Sequence, residues 1–432
     1  MHNNYYVTFL FLMVQVCCDK AITSLQNIFM QTNDTNFTDK KLIVAIHDLH
    51  PWGGQDKSNL EILYRANQAL KMELHTFSFI DPRPWPQVTH IKYSSPLTRP
   101  AIFKLIFYSI MSFFRLLKYG SKEKRRHKKT LIQTTGTASP IADIVQVQFI
   151  HKTWNNIIKD YNVPETESAF KNLYHELLSS YNILNEERLF TNKKKYIAIS
   201  HSIKKELIEH FNVHPQNIET IYHGVDLEHF YPYKTDPLAL KTRNEIRLKH
   251  SIPDDAIVLL HVGALNQRKG IYNSIKTLSF LKKEGVEGVY LLAVGEGDKK
   301  ELSAMALKEG VGDQFKIASH SKNVRDYYWA SDIFFFPSIY EPFGLVILEA
   351  MACGLTCAIS GNAGATELIT NNQNGLILQN IFDPESMGHE LNNLIKDSLL
   401  RESLGAQALI TAQQRPWSQV AKDYLEFYQR HF

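Results

Sequence analysis

"SDIFFFPSIYEPFGLVILEAMACGLTCAIS", residues 331–360, sets two glutamates, Glu341 and Glu349, into a run otherwise apolar enough for a protein core. Its first part, "SDIFFFPS" (331–338), is a continuous apolar run closed by Pro337, the pattern of a strand buried on both faces of a parallel sheet. Gly354 stops the helical pattern that follows, and "TCAIS" (356–360) reads as the next strand. Strand, Gly-Pro loop, helix and strand make a βαβ unit, whose ligands sit at the carboxyl end of the strand, beside the loop and the first helical turn. Glu341 is on that loop. Glu349 lies about two turns further, roughly 9 to 12 Å away at ~1.5 Å rise per residue, the span of a sugar joined through a diphosphate to a ribose. A helix with both carboxylates turned to water fits so greasy a setting poorly. As ligands, each carboxylate accepts hydrogen bonds from hydroxyls, and the amides of Phe343 and Gly344 are left for anionic oxygens.

The same alternation extends in both directions. "AIVLLHVGAL" (256–265), "VYLLAVG" (289–295) and a strand near 314–318 are separated by helical patterns at 270–284, 298–309 and 322–330. Upstream, "KLIVAIHDL" (41–49), "MELHTFSFI" (72–80), "IADIVQVQFIH" (141–151) and "KYIAIS" (195–200) read as strands, with helices over 60–70, 165–189 and 202–211. "YPYKTDPLAL" (231–240) is turn-rich and makes the linker, and "PWSQVAKDYLEFYQ" (416–429) is a closing helix that returns to the first domain. At 432 residues and 44% hydrophobic content, two cores are affordable. The expected fold class is α/β, with two doubly wound, Rossmann-like domains facing across a cleft that holds the ligand.

Glycine turns punctuate both halves of the chain. "HVGALNQRKG" (261–270) puts Arg268 and Lys269 at a helix start, where the macrodipole disfavours cations; a diphosphate offsets that cost, with Arg268 as a fork and Lys269 as a point charge. "GGQDKS" places Gly53 and Gly54 before a helix, where backbone amides can approach a phosphate closely, although a plain tight turn is the commoner reason for such a pair. "VGEGDKK" (294–300) lacks the third glycine of the dinucleotide fingerprint, which removes an NAD-binding reading. Glu367, in the first turn after "SGNAGATELI" (360–369), reads as a cap or local polar contact. No Asp-x-Asp triplet occurs, so no metal is expected, no cofactor is called for, and Arg268 and Lys269 must neutralise the leaving diphosphate. His151 closes a strand that points at the cleft, where it can bond a sugar hydroxyl or shuttle a proton.

Composition narrows the partners. A net charge of +4 is too mild to argue for nucleic acid. "KYGSKEKRRHKK" (118–129) nevertheless holds seven Lys or Arg against one Glu. The preceding "AIFKLIFYSIMSFFRLL" (101–117) has Lys104, Tyr108, Ser112 and Arg115, continued by Tyr119, as a narrow polar stripe, with bulky apolar groups elsewhere. It is too short to cross a bilayer, and reads either as a helix lying on an anionic membrane surface or as a buried amphipathic helix. Residues 5–18 form another short apolar stretch without the flanks of a secretory signal, and the sequons at Asn33 and Asn36 matter only in a secreted protein. Four cysteines, Cys17, Cys18, Cys353 and Cys357, make neither a disulfide framework nor a zinc site. The expected compartment is cytoplasmic, peripheral on the inner face of the membrane.

Taken in order, "ISHSIKKELIEHFNVHPQNIETIYHGVDLEHFYP" (199–232), "VGALNQRKG", "SDIFFFPSIYEPFGLVILEAMACG" and "GNAGATELI" resemble the retaining glycosyltransferases of family four, over roughly residues 41–430. The resemblance implies the GT-B fold: a first, acceptor domain over 39–235 that includes the basic segment 99–130, a donor domain over 236–412, a returning helix over 413–432, and an extension over 1–38 outside the family core. It implies that Glu341 contacts the transferred sugar, Glu349 the donor ribose, Arg268 and Lys269 the diphosphate, and His151 the sugar, with Gly54 beside the phosphates and Gly53 supporting it. Many members have Arg directly after the glycine that closes the strand, where this chain has Ala264; the adjacent Arg268 and Lys269 resemble instead the arrangement in lipopolysaccharide core glucosyltransferases. The implied activity is transfer of a hexose from a nucleotide sugar, UDP-linked, to a hydroxyl of a glycan or lipid acceptor. A sugar-nucleotide epimerase or phosphorylase of the same fold is the nearest alternative enzyme, and a catalytically silent glycan-binding or membrane adaptor protein the alternative of another class.

Overall fold

The structure, a computed structural model, describes Phe37 and residues 39–432 apart from 97–98, 162–168, 320 and 322. The apolar stretch 5–18, Cys17, Cys18 and both sequon asparagines lie outside the described residues. The first half runs β1 (Lys41–Ala45), β2 (Asp48–Leu49), α1 (Gly54–Ala66), β3 (Lys71–Thr76), β4 (Ser78–Phe79), β5 (Val88–Lys92), α2 (Ala101–Leu117), α3 (Lys122–His127), β6 (Thr130–Thr135), β7 (Ile144–Val147), α4 (His151–Asp160), α5 (Ala169–Leu189), β8 (Lys195–Ala198), α6 (His201–Phe211) and β9 (Ile218–Thr220). The second runs α7 (Pro237–Lys249), β10 (Ile257–Val262), α8 (Ile271–Lys283), β11 (Val289–Val294), α9 (Lys299–Lys308), β12 (Phe315–Ala318), α10 (Arg325–Trp329), β13 (Ile333–Phe336), α11 (Leu345–Ala352), β14 (Thr356–Ser360), β15 (Leu376–Leu378), α12 (Pro384–Lys396), α13 (Ser398–Gln413) and α14 (Trp417–His431).

Among the described residues these form a seven-stranded sheet, order β5-β3-β1-β6-β7-β8-β9, and a six-stranded sheet, order β12-β11-β10-β13-β14-β15, both with parallel pairing throughout. In each, the strand order reverses beside the first strand of the domain, the arrangement that opens a crevice at the strands' carboxyl ends. The run at 333–336 shows why the strand has no polar alternation. Phe334 and Phe336 belong to one core cluster and Ile333 and Phe335 to another, so both faces are packed. The alternation of strands and helices thus yields the two Rossmann-like domains expected of a GT-B protein.

Two strand expectations are corrected in detail. The runs 41–49 and 72–80 each break, at His47 and Phe77, because β2 and β4 leave the large sheet and pair with each other. Helix α1 begins at Gly54, before the first apolar-periodic residue Leu60. The closing helix α14 lies on α1, burying Val420, Tyr424 and Tyr428 in the cluster that holds Leu60 and Leu63. The Tyr428 hydroxyl donates to Gln133 Oε1 at 2.7 Å, and Gln146 Nε2 donates to Tyr424 Oη at 2.8 Å.

The two sheets share packing. One core cluster runs from Ile199, Ile203 and Leu207 of the first domain to Phe343, Ile347 and Ala363 of the second. Glu367 adds a polar lock by accepting from the amides of His201 and Ser202 at 2.7 and 2.8 Å, which places an anion at the start of α6. It caps a helix of the other domain.

Candidate active site in the interdomain cleft

A cleft of ≈ 1220 Å³ separates the domains and is lined by His151, Arg268, Lys269, Glu341, Phe343, Gly344, Glu349, Gly53 and Gly54, among others. Most arrive from the turns and loops between a strand and the following helix, and Glu349 from the second turn of α11. Gly53 precedes α1, and a Cβ built on Gly54 would lie 3.7 Å from Leu345 Cδ1, so the glycine turn of the first domain faces the first residue of α11. Phe343 is buried against Tyr222 and His223. The amides of Phe343 and Gly344 find no acceptor among the described residues and lie on the cleft wall.

Arg268 and Lys269 occupy a short turn, Gln267–Lys269, before α8 rather than the helix itself. Asn266 caps the turn through the Lys269 amide. Their side chains converge on the other loop: Lys269 Nζ is ion-paired with Glu341 Oε2, and Arg268 Nη1 lies 3.7 Å from the same oxygen while donating to the Tyr340 carbonyl at 2.8 Å. Burial and then Arg268 work against the Lys269 charge, and the Glu341 carboxylate is its counter-charge. The three residues form one compact cluster of two cations and a carboxylate.

Glu349, on α11, is buried and fully engaged. Lys57 Nζ donates to Oε1 at 2.8 Å from across the cleft, and the Tyr328 hydroxyl donates to Oε2 at 3.0 Å. Nothing local in the sequence announces the Lys57 partnership. Its one signal is that Lys57 follows the glycine pair on the first turn of a helix, as Arg268 and Lys269 follow Gly263.

His151 does not end a strand. Strand β7 stops at Val147 and His151 opens α4, because the Glu186 carboxylate accepts from the amides of His151 and Lys152 at 2.7 and 3.1 Å and so caps that helix. Glu186 Oε1 also lies 2.8 Å from His151 Nδ1. A carboxylate can only accept here, so Nδ1 carries the proton and Nε2 is left as the ring's remaining polar atom. His223, of the "HGVD" stretch, lines the cleft as well. Burial drives its imidazole down to about 3, and its Nδ1 has no partner among the described residues.

Beside Glu341 a second network joins the domains. Glu206 Oε2 accepts from the hydroxyls of Tyr340 at 2.8 Å and Thr153 at 2.7 Å. Burial pushes the Glu206 carboxyl up to about 7 against the pull of those two bonds. A carboxyl raised in the folded state contributes stability that is complete below its ordinary 4.5 and is lost as pH rises through about 7. Glu206→Gln removes the titration. Between about pH 5 and pH 8 the wild-type melting curve is therefore expected to lose on the order of 2 kcal/mol more stability than the variant's. Parallel curves for the two proteins would show that Glu206 is not the titrating group.

Among the described residues no group of three or more His, Cys, Asp or Glu is disposed to hold a metal ion. Cys353 and Cys357 are buried and free.

The family model for Glycosyltransferase Family 4 matches residues 52–229 and that for Glycosyl transferases group 1 matches residues 242–410. An uncharacterized glycosyltransferase of Methanocaldococcus jannaschii is 28% identical over 239 residues, covering 54% of this chain and 59% of its own length. A D-inositol 3-phosphate glycosyltransferase of Xylanimonas cellulosilytica is 26% identical over 253 residues, covering 57% of this chain and 59% of its own length. The chain thus spans 59% of the length of these two curated relatives. In fold it is similar to WaaG, a glycosyltransferase involved in lipopolysaccharide biosynthesis, with TM-score 0.71 at 18% identity over 90% of this chain and 99% of that one. It is also similar to Anabaena HepE in complex with UDP and glucose, with TM-score 0.64 at 17% identity over 90% and 99%. The chain is related to the glycosyltransferases of GT-B fold.

Proposed function

We propose that this protein is a retaining glycosyltransferase that moves a hexose from a UDP-linked sugar to a hydroxyl of a glycan or lipid acceptor, in the synthesis of bacterial surface polysaccharide. The observation that carries the reading is the Glu341–Lys269–Arg268 cluster at the wall of the cleft, with Glu349 on the helix that follows. The diphosphate takes the two cations, Glu341 is released to the sugar hydroxyls, Glu349 holds the ribose, and Gly53 and Gly54 let the first domain's backbone approach the phosphates. UDP as the nucleotide is supported by the HepE complex. The bond from the anomeric carbon to the diphosphate oxygen breaks with its electron pair going to that oxygen. The acceptor oxygen then bonds the same face of the sugar, and its proton passes to the departing phosphate. Arg268 and Lys269 stabilise the charge that develops there, without a metal. The Nε2 of His151 accepts from a sugar hydroxyl.

The test is thermal stability against a panel of nucleotides and nucleotide sugars. A donor at ~100 times its dissociation constant adds about 2.7 kcal/mol. A shift with one UDP-sugar that exceeds the shift with UDP supports the reading, as does a retained anomeric configuration in the product. An inverted product overturns the stereochemistry, and no shift with any nucleotide overturns the donor assignment. Turnover without an acceptor, or only with inorganic phosphate, favours an epimerase or phosphorylase.

An acceptor drawn from a membrane is supported by α2. Its polar stripe is spent on the protein: Lys104 pairs with Asp48 at 3.1 Å, the Tyr108 hydroxyl donates to the His75 carbonyl, and Arg115 lies over the Tyr93 ring at 4.9 Å. Phe103, Ile110, Phe113, Phe114 and Leu117 are left exposed, Phe114 at 64%. Beyond them Lys118, Lys122, Lys124, Arg126, Lys128 and Lys129 are exposed. Arg125 leaves the basic set, because its guanidinium is buried on Asp143 at 2.6 Å. No helix among the described residues is long and apolar enough to cross a membrane, and the arrangement fits a helix lying on an anionic leaflet at the cytoplasmic face. At ~1 kcal/mol per basic residue, exchanging Lys122, Lys124, Arg126, Lys128 and Lys129 for glutamine is expected to weaken binding to phosphatidylglycerol-containing vesicles at least ~100-fold. Phosphatidylcholine vesicles serve as the reference. Unchanged sedimentation with the anionic vesicles would remove the membrane from the proposal.

A further inference from the structure

The cleft is lined by three cations, Lys57, Arg268 and Lys269, and three carboxylates, Glu296, Glu341 and Glu349, and the cations are not equally free. Arg268 and Lys269 both sit on Glu341. Lys57 reaches Glu349 from the opposite domain, 292 residues away in the chain. Without Lys57 the carboxylates would outnumber the cations, and an incoming diphosphate would meet a wall of net negative charge.

Lys57 is also held ready. Its ammonium has three donors, and one is taken, by Glu349 Oε1. The face of Phe230 lies 5.0 Å beneath it, and the side chain lines the cleft. Two further carboxylates act on it, but both are engaged elsewhere: Glu61 with Arg65 and Arg83, and Asp226 with the amides of Glu228 and His229. Burial opposes the charge and Glu349 sustains it, leaving the ammonium protonated. A charged donor with two unused N–H groups, at the cleft wall and against the carboxylate assigned to the ribose, is placed to meet the phosphate attached to that ribose.

We infer that Lys57 is a donor ligand supplied by the first domain, binding the nucleotide's phosphate oxygens while it steadies Glu349. The inference rests on the nucleotide-sugar reading and adds to it a link between domains. A ligand held by Lys57 from one side and by Arg268 and Lys269 from the other binds best when the cleft is closed.

The test compares UDP with uridine, which shares the base and ribose but has no phosphate. Titration calorimetry on the full chain is expected to give Lys57→Met a loss of roughly ten- to thirtyfold for UDP. For uridine the expected loss is less than about threefold, since a neutral ligand gains little from the charge. Lys57→Arg should restore much of the UDP preference. If Lys57→Met destabilises the chain, Lys57→Gln is read in its place, and the UDP-to-uridine ratio within one variant is insensitive to the folded fraction. Equal losses for the two ligands would make Lys57 only a prop for Glu349 and overturn the inference, as would UDP binding that is unchanged or tighter. In those cases wild-type binding of UDP leaves the donor reading intact. Failure of the wild type to bind UDP, ADP or GDP overturns both.

Discussion

Glu341→Gln is expected to lower the transfer rate ~10²–10³-fold while UDP binds at least as tightly as before, a loss of the size seen when one stabilising group is removed from a polar active site. The reason is the double duty of this carboxylate. In the free protein it neutralises Lys269, and the two side chains are 12% and 13% exposed. In the proposed complex the diphosphate takes over Lys269 and Arg268, and Glu341 turns to the sugar. Glutamine cannot perform the first duty, so in the free variant burial and Arg268 act on the Lys269 ammonium with no counter-charge to oppose them, at a cost of about 3 kcal/mol or more. UDP restores that charge, and the variant should therefore gain more stability from UDP than the wild type does. Kinetics, calorimetry and melting curves on the same two proteins check the three statements together. A variant that transfers sugar at the wild-type rate would remove Glu341 from the chemistry. One that loses UDP binding in proportion to its activity would make Glu341 part of the phosphate site instead.

The fold was legible because its signals are local. A four-residue run such as Ile333–Phe336, apolar on both faces, has few homes other than a central parallel strand. A strand, loop, helix and strand in close succession then leave little choice of handedness or site. What failed lay at element boundaries. Helix α1 starts six residues before Leu60 because "GQDKSN" carries no apolar period, yet Asp56 and the backbone sustain a first turn there. His151 was misplaced because the group that starts its helix, Glu186, is 35 residues away in sequence. The basic run at 118–129 concealed Arg125, whose partner Asp143 lies on the loop before β7. The cleft is less legible still. The pairing of Lys57 with Glu349 and of Tyr340 with Glu206 depends on how two domains meet, and no spacing within either segment encodes it. Residue types at loop and helix starts pointed to candidates; the electrostatic ledger among them needed the folded chain.

Gly270→Ala is expected to cost about 3 kcal/mol or more and to abolish donor binding, although no atom of Gly270 is asked to touch the donor. Gly270 has φ +82 and closes the turn that carries Arg268 and Lys269. A Cβ on it would lie 2.0 Å from the Pro337 carbonyl oxygen and 2.6 Å from the carbonyl carbon, both backbone atoms that cannot rotate away. Next to this contact the Ile339 amide donates to the Arg268 carbonyl at 2.8 Å, so the cation turn and the loop leading to Glu341 are fastened directly together. Relief of the clash must prise those two loops apart, and with them Lys269 from Glu341. Gly285 provides the control: its φ is +73, and nothing lies within 4 Å of an added Cβ. Gly285→Ala then carries only the conformational cost of a left-handed alanine, about 1 kcal/mol. Denaturant unfolding should separate the two variants by at least about 2 kcal/mol, and UDP should bind to the second alone. Equal unfolding midpoints would mean that the two loops tolerate separation. The diphosphate site would then have to be sought in Lys57 and the backbone amides of Phe343 and Gly344 rather than in a rigid junction of the two loops.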